Sequence, residues 1–172
     1  MSDSIFVLGG CRSGKSSYAL ELANQVPGKK VFIATCVPHD DEMQQRVIRH
    51  QQERGLNWRA EEVPVNLSEA IPQLSSEADV LLVDCLTLWV SNLLSKTQEE
   101  EELFAHVHSL LESIQKCPVQ IVLVSNEVGT GIVPENALAR IFRDTVGMVN
   151  QKVASCVDKV IWTVAGIPVT IK

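Results

Sequence analysis

The stretch Ile5-Phe6-Val7-Leu8-Gly9-Gly10-Cys11-Arg12-Ser13-Gly14-Lys15-Ser16 constrains this chain more than any other. Its four leading apolar residues predict a buried strand, the glycines a tight turn, and the helix formers from Tyr18 to Ala23 the helix after it. The second half matches the phosphate-loop pattern, two glycines flanking four residues and then Lys-Ser. Gly9 and Gly14 let the backbone curl around an anion. The amides of residues 10 to 16 point inward, and the positive end of the helix dipole begins where phosphates sit. Lys15 can then reach the outer phosphate oxygens, and the Ser16 hydroxyl is placed to coordinate magnesium.

A chain of 172 residues that is 45% hydrophobic fits one compact domain, spanning residues 1–172. A formal net charge of -6 argues against duplex nucleic acid or an anionic membrane as the main partner. Met1-Ser2-Asp3-Ser4 lacks the basic start of a signal peptide, and no apolar run approaches the roughly 20 residues of a membrane span. The expectation is a cytoplasmic chain without a span. Five cysteines, widely spaced and without a Cys-x-x-Cys pair, speak against a disulfide framework or a zinc site. Outside the phosphate loop they are expected as buried free thiols. Cys11 differs, because a thiol beside nucleotide phosphates would make activity sensitive to alkylation.

Further along, Pro27-Gly28 marks a turn before a second strand, Lys30 to Thr35. Asp40 to Arg54 has helical composition, with Met43, Val47 and Ile48 at helical spacing. Trp58 to Val63 reads as a short strand and Leu67 to Leu74 as a short helix. Val80-Leu81-Leu82-Val83-Asp84 is the second strong signal, an apolar central strand delivering a carboxylate to the edge where ligands bind. In phosphate-loop proteins such a carboxylate helps hold magnesium. Leu86 to Leu94 reads as helix, and the glutamate run at 99–102 as the solvated start of a helix ending near Gln115. A strand from Gln120 to Ser125 feeds a glycine-containing segment, Asn126 to Pro134. The long helix after it carries Leu138, Ile141, Phe142, Val146, Val149 and Val153 along one apolar side, with Arg140 and Arg143 on another face. Val160 to Val164 and Pro168 to Ile171 predict a terminal β-hairpin. The fold class is therefore α/β: a phosphate-loop nucleotide-binding fold with a mostly parallel sheet, flanking helices and an antiparallel C-terminal edge.

A phosphate loop implies nucleotide binding without specifying chemistry. The chain has no Asn-Lys-x-Asp run of the kind that reads guanine in regulatory GTPases, and it is short for a motor ATPase. A small-molecule phosphotransferase is the best answer from the motif alone. A wider set of residues is more specific. Gly9 to Ser16, Ile33-Ala34-Thr35, Asp40-Asp41-Glu42-Met43, Arg46-x-x-x-His50, Trp58-Arg59, Asn126-Glu127-Val128-Gly129-x-Gly131-Ile132-Val133-Pro134-Glu135-Asn136 and Arg143-Asp144 occur here in one order. Together they resemble the bifunctional adenosylcobinamide kinase and adenosylcobinamide-phosphate guanylyltransferase family of cobalamin biosynthesis, from about Ile5 to the C-terminus.

The resemblance implies two reactions. A nucleoside triphosphate, ATP or GTP, phosphorylates the aminopropanol hydroxyl of adenosylcobinamide; GMP is then transferred from GTP to that phosphate, releasing pyrophosphate. It implies a covalent GMP-histidine intermediate at the position matching His50, with Lys15 as the other catalytic residue. The family pattern has two adjacent histidines there, whereas this chain has Arg49-His50. An imidazole with an unperturbed pKa near 6.5 is largely neutral at cytoplasmic pH, so it can attack an α-phosphorus without a dedicated base. By the same resemblance Ala34, Thr35, Cys36, Gln51, Gln52, Glu53, Arg54 and Glu62 join Gly9, Gly10, Cys11, Arg12, Ser13, Gly14, Lys15 and Ser16 around the nucleotide. Glu62 is suited to accept from guanine N1-H and N2-H. Ser16 and Asp84 would hold Mg2+. Arg140 and Arg143 are either corrinoid-phosphate contacts or helix-surface charges. Family members form trimers, which implies an intersubunit contact placed here near the terminal hairpin. Two other readings stay open: a kinase of a different small metabolite, and a nucleotide-dependent switch without net chemistry.

Overall fold

The computed structural model of the chain describes residues 3–37, 57–97 and 99–172. The helix expected over Asp40 to Arg54 lies outside the described residues. In chain order the elements are β1 (Ser4–Gly9), α1 (Lys15–Asn24), β2 (Lys30–Ala34), β3 (Trp58–Glu62), α2 (Leu67–Ser75), β4 (Val80–Asp84), α3 (Leu86–Lys96), α4 (Glu100–Gln115), β5 (Gln120–Asn126), α5 (Ala137–Cys156), β6 (Lys159–Val164) and β7 (Ile167–Thr170). Seven strands form one sheet in the order β3-β2-β4-β5-β1-β6-β7. Every neighbouring pair is parallel except β6 with β7. The expected class and the antiparallel terminal hairpin are both present.

The near-continuous apolar runs of β1, β4 and β5 follow from cover on both faces of a parallel sheet. On one face Phe6, Ile33, Leu81, Val83, Ile121 and Leu123 meet Leu67 and Ile71 of α2, Trp89 and Leu93 of α3, Leu110 of α4, and Val149 and Val153 of α5. On the other, Val7, Leu82, Val122 and Val124 meet Ala19 and Ala23 of α1. Two alanines facing the sheet let α1 lie close to it, directly after the turn that leaves β1. The buried indole of Trp89 donates from Nε1 to the Val65 carbonyl at 2.7 Å, fastening α3 to the approach of α2.

Two expectations are corrected. Leu138 and Ile141 are 59% and 52% exposed, so the apolar side of α5 begins only at Phe142. The geometry explains this. Asn150 of α5 meets the Asn126 carbonyl at the end of β5. The turns of α5 before it, at 1.5 Å per residue, run about 20 Å past that point, and Leu138 in the first of them is left exposed. Of the cysteines outside the phosphate loop only Cys85 is buried; Cys36, Cys117 and Cys156 are half-buried and Cys11 is exposed. No helix among the described residues is long and apolar enough to cross a membrane.

Replacing Trp89 with Phe keeps an aromatic side chain, smaller than the buried indole, and strips the Val65 carbonyl of its donor inside the core. The expected loss is about 1–3 kcal/mol of unfolding free energy, read as a lower urea midpoint at unchanged slope. An unchanged midpoint would show that the bond is not needed.

Candidate nucleotide site

Between β1 and α1 the chain makes the loop that the glycine spacing requires. A Cβ at Gly9 would come within 2.3 Å of both Ser13 Oγ and Thr163 Oγ1, so the turn closes only on glycine. Gly14 caps α1 with φ of 92°, a left-handed conformation that side chains disfavour. Arg12 is also left-handed, with φ of 54°. The Ser13 amide donates to the Gly10 carbonyl at 3.3 Å, and Tyr18 N donates to the Gly14 carbonyl at 3.0 Å, opening the helix. The first amides of α1 therefore have no acceptor within the helix and face an anion site. Lys15 Nζ reaches back to the Gly10 carbonyl at 3.2 Å, so the ammonium lies across the loop's own mouth.

Strand register carries the other expected residues to the same edge. Ala34 pairs with Glu62 on one side and Asp84 on the other, which puts these three in one row across β3, β2 and β4. Gly9 pairs with Asn126 and Thr163, which makes a second row across β5, β1 and β6. Because β5 separates β4 from β1, the loop and Asp84 flank the Asn126 end of β5. Asp84 and Ser16 are half-exposed, and Glu62 is exposed on the outermost strand. Among the described residues no hydrogen bond or ion pair engages the Ser16 hydroxyl or the Asp84 carboxylate.

Buried hydroxyls and amides fix the edge around Asp84. Thr35 is fully buried; its Oγ1 donates to the Cys85 carbonyl at 2.7 Å and accepts from the Cys85 amide at 2.8 Å. Asn92 of α3 donates from Nδ2 to the carbonyls of Thr35 and Pro64, at 2.8 and 2.9 Å. Thr87 shares a hydrogen bond of 3.1 Å with Ser125 and accepts from the Asn126 amide at 2.7 Å. Burial, and secondarily the neighbouring Asp84 charge, push the Cys85 thiol up to about 12.

The segment after β5 is tied to the loop and to its own helix. Glu127 N donates to the Gly9 carbonyl at 3.1 Å, and Glu127 Oε1 accepts from Gly129 N at 2.6 Å. Arg143 donates to the Gly129 carbonyl at 2.7 Å, and Arg140 to the Pro134 and Glu135 carbonyls at 3.0 and 2.6 Å. Asn136 caps α5 by accepting from Ala139 N at 3.0 Å. Both arginines thus brace this segment, a role that neither their spacing nor the resemblance foretells.

Of the expected site residues, Gly9 to Ser16 form one continuous loop, and Ala34, Glu62 and Asp84 share one row. Thr35 and Cys36 come directly after Ala34, but the Thr35 hydroxyl is committed to Cys85. His50, Gln51, Gln52, Glu53 and Arg54 lie outside the described residues. Sequence reasoning missed Thr163, Asn92 and Thr87, each holding the edge in place. Polar residues inside otherwise buried segments were the signal available, and that signal does not say which partner they meet.

A Lys-Ser loop on an internal strand of a parallel sheet, with an acid at the end of a strand beyond its neighbour, defines a phosphate-loop nucleotide-binding protein. Solved structures agree on the fold. A Pyrococcus horikoshii OT3 protein superposes with a TM-score of 0.59 at 8% identity, covering 99% of this chain and 86% of that one. An ATPase from the type III secretion system of pathogenic bacteria does so with a TM-score of 0.55 at 12% identity, covering 93% and 50%. The family model described as cobinamide kinase / cobinamide phosphate guanyltransferase matches residues 5–171, and the chain belongs to that family. It is 41% identical over 180 aligned residues to the bifunctional adenosylcobalamin biosynthesis protein CobU of Salmonella typhimurium, covering 98% of this chain and 99% of that one. The CobU protein of Escherichia coli matches to the same extent. The CobP protein of Pseudomonas aeruginosa is 39% identical over 166 residues, covering 96% and 95%.

Thiol chemistry checks this geometry. Iodoacetamide at neutral pH should label exposed Cys11 first and buried Cys85 last, with bound nucleotide shielding Cys11. Stability should also report Cys85. Its ordinary value of 9.0 applies in the unfolded chain and about 12 in the folded one. Below pH 9 the thiol is protonated in both states and has no effect. As pH rises from there the unfolded thiol ionises while the folded one does not, costing about 1.4 kcal/mol per pH unit until the folded value is reached. Burial raises Cys117 and Cys156 in the same direction. Cys85→Ala should therefore flatten the alkaline decline without abolishing it; an identical slope would contradict the assignment.

Proposed function

We propose that this chain carries out both reactions its family is named for: phosphorylation of adenosylcobinamide by a nucleoside triphosphate, then transfer of GMP from GTP to the product, giving adenosylcobinamide-GDP and pyrophosphate. The observation that carries the reading is the family match across residues 5–171, with the family's phosphate loop formed in full. GTP and ATP are the nucleotide substrates. The setting is cytoplasmic.

The loop's task is electrostatic. Its amides and Lys15 stabilise negative charge on the phosphate oxygens of the transferred or departing group. The donor set fits magnesium: a serine hydroxyl and a carboxylate, both oxygen donors with no competing partner among the described residues. No cluster of three His, Cys, Asp or Glu occurs among those residues, so Ser16 and Asp84 would leave most of the shell to phosphate and water, as magnesium prefers. Bound there, the ion would neutralise phosphate charge.

For the guanylyl half we assign the nucleophile to His50. One imidazole nitrogen attacks the α-phosphorus of GTP as the bond to the pyrophosphate oxygen breaks; the phosphate of the corrinoid then displaces the histidine. Gln51, Gln52, Glu53, Arg54, Ala34, Thr35, Cys36 and Glu62 are assigned to the GTP pocket on the family pattern. The exposed apolar face of the terminal hairpin, Trp162, Val164, Ile167, Val169 and Ile171, supports assigning the intersubunit contact of a trimer to this edge.

Incubation with GTP labelled at the α-phosphorus should give an acid-labile, base-stable protein adduct, absent from His50→Ala. A kinase of another metabolite gives no adduct, and nor does a switch. Label retained on His50→Ala would move the nucleophile elsewhere while leaving the reaction intact. Lys15→Ala should lower kcat/KM of both half-reactions by about 100-fold or more.

A further inference from the structure

We propose that Thr163 is a positioning residue for the phosphate loop, and that the C-terminal hairpin is the outer wall that sets the loop's shape. Thr163 lies on β6 level with Gly9 and is 1% exposed. Its Oγ1 donates to the Leu8 carbonyl at 3.0 Å and lies 2.9 Å from Ser13 Oγ. A hydroxyl has one proton to give. With that proton on the Leu8 carbonyl, Ser13 is the donor of the pair.

The turn of the hairpin adds a second fastening. Gly166 N donates to the Ser13 carbonyl at 2.9 Å, and a Cβ on Gly14 would stand 3.2 Å from Gly166 Cα. In a trans peptide the carbonyl and the following N–H point opposite ways. Holding the Ser13 carbonyl toward Gly166 therefore turns the Gly14 amide away from the hairpin. Ser13 is pinned by its side chain to Thr163 and by its carbonyl to Gly166, so one orientation of the 13–14 peptide is set before any phosphate arrives. Such pre-organisation acts on nucleotide affinity and on the reacting state, and not on recognition of the acceptor.

The inference rests on the loop binding a nucleoside triphosphate, and its test needs no corrinoid chemistry. Thr163→Val keeps the shape and removes the hydroxyl; Thr163→Ser keeps the hydroxyl. GTP and ATP titrations of each should show Thr163→Val binding about five- to tenfold more weakly than the parent and Thr163→Ser close to it. In turnover, kcat/KM for the nucleotide should fall in both half-reactions while KM for the cobinamide substrate holds. A hydroxyl pair that merely fills space would lower Tm in Thr163→Val and leave nucleotide affinity alone, and that result overturns the proposal. Should Thr163→Val not fold, Ser13→Ala removes only the Ser13 side-chain link and must weaken GTP in the same direction; unchanged affinity there overturns it equally. A parent protein that binds GTP but does not act on cobinamide would sink the proposed function and leave this inference standing. A parent that binds neither nucleotide would sink both.

Discussion

β1 has a parallel neighbour on each side and apolar cover on each face, so the chain leaving it can turn only at the sheet's carboxyl edge. The turn is made of glycines because a carbon added at Gly9 would stand 2.3 Å from the hydroxyl oxygens of Ser13 and Thr163. That start dictates the course of the next element. α1 must begin at once and lie on the sheet, its small residues Ala19 and Ala23 permit the close approach, and its unsatisfied first amides end up beside the strand ends. Burial of an apolar strand thus becomes a fixed array of backbone donors. The loop has no hydrophobic stabilisation of its own; it takes its rigidity from the strands and turns around it.

The surroundings of the edge are polar and almost entirely satisfied, which is costly to arrange and restrictive once arranged. Thr35 serves both the amide and the carbonyl of Cys85, Asn92 gathers two carbonyls, and Thr87 links Ser125 to the Asn126 amide. A slip of one residue between β2 and β4 would lose the Thr35 bonds, and a slip of β5 would lose those of Thr87. A purely apolar edge would tolerate such slips more readily. Two exceptions stand out among the described residues. The Oδ1 atoms of Asn126 and Asn150 are buried without a donor, although Asn150 Nδ2 holds the Asn126 carbonyl at 3.0 Å. Both lie at the end of the strand that separates loop and acid.

Where a sequence pattern had one physical cause, it was readable in advance. Four apolar residues before Gly9, and four before Asp84, bounded by a glycine turn and an acid, read as strands covered on both faces, and their register brought loop and acid to one edge as expected. The terminal hairpin followed from two short runs flanking Ala165-Gly166, both left-handed in the structure. Helix periodicity failed at Leu138 and Ile141 because it reports which residues share a side, not how far the packing partner extends. The site was legible as a loop and an acid and illegible as a scaffold. Nothing local to Thr163 or Thr87 distinguishes a hydroxyl that braces a turn from one that faces water. Arg140 and Arg143 looked like anion ligands or surface charges, since nothing in their spacing reveals that the backbone of 129–135 folds back beneath them.

The two reactions of the family make opposite demands on a nucleoside triphosphate. A kinase transfers the outermost phosphorus and leaves a diphosphate, whereas guanylyl transfer attacks the innermost and releases pyrophosphate. Their shared need is that negative charge building on bridging and terminal oxygens must meet donors already in position. An array built from main-chain amides meets that need without regard to which phosphorus is attacked, because it neutralises oxygens and does not deliver the attacking group. The attacking group is then left to the corrinoid hydroxyl in the kinase step and, in the reading proposed above, to the His50 imidazole in the guanylyl step. The contacts from β6 and the hairpin turn, at Thr163 and Gly166, fall on that array and on nothing that supplies an attacking group.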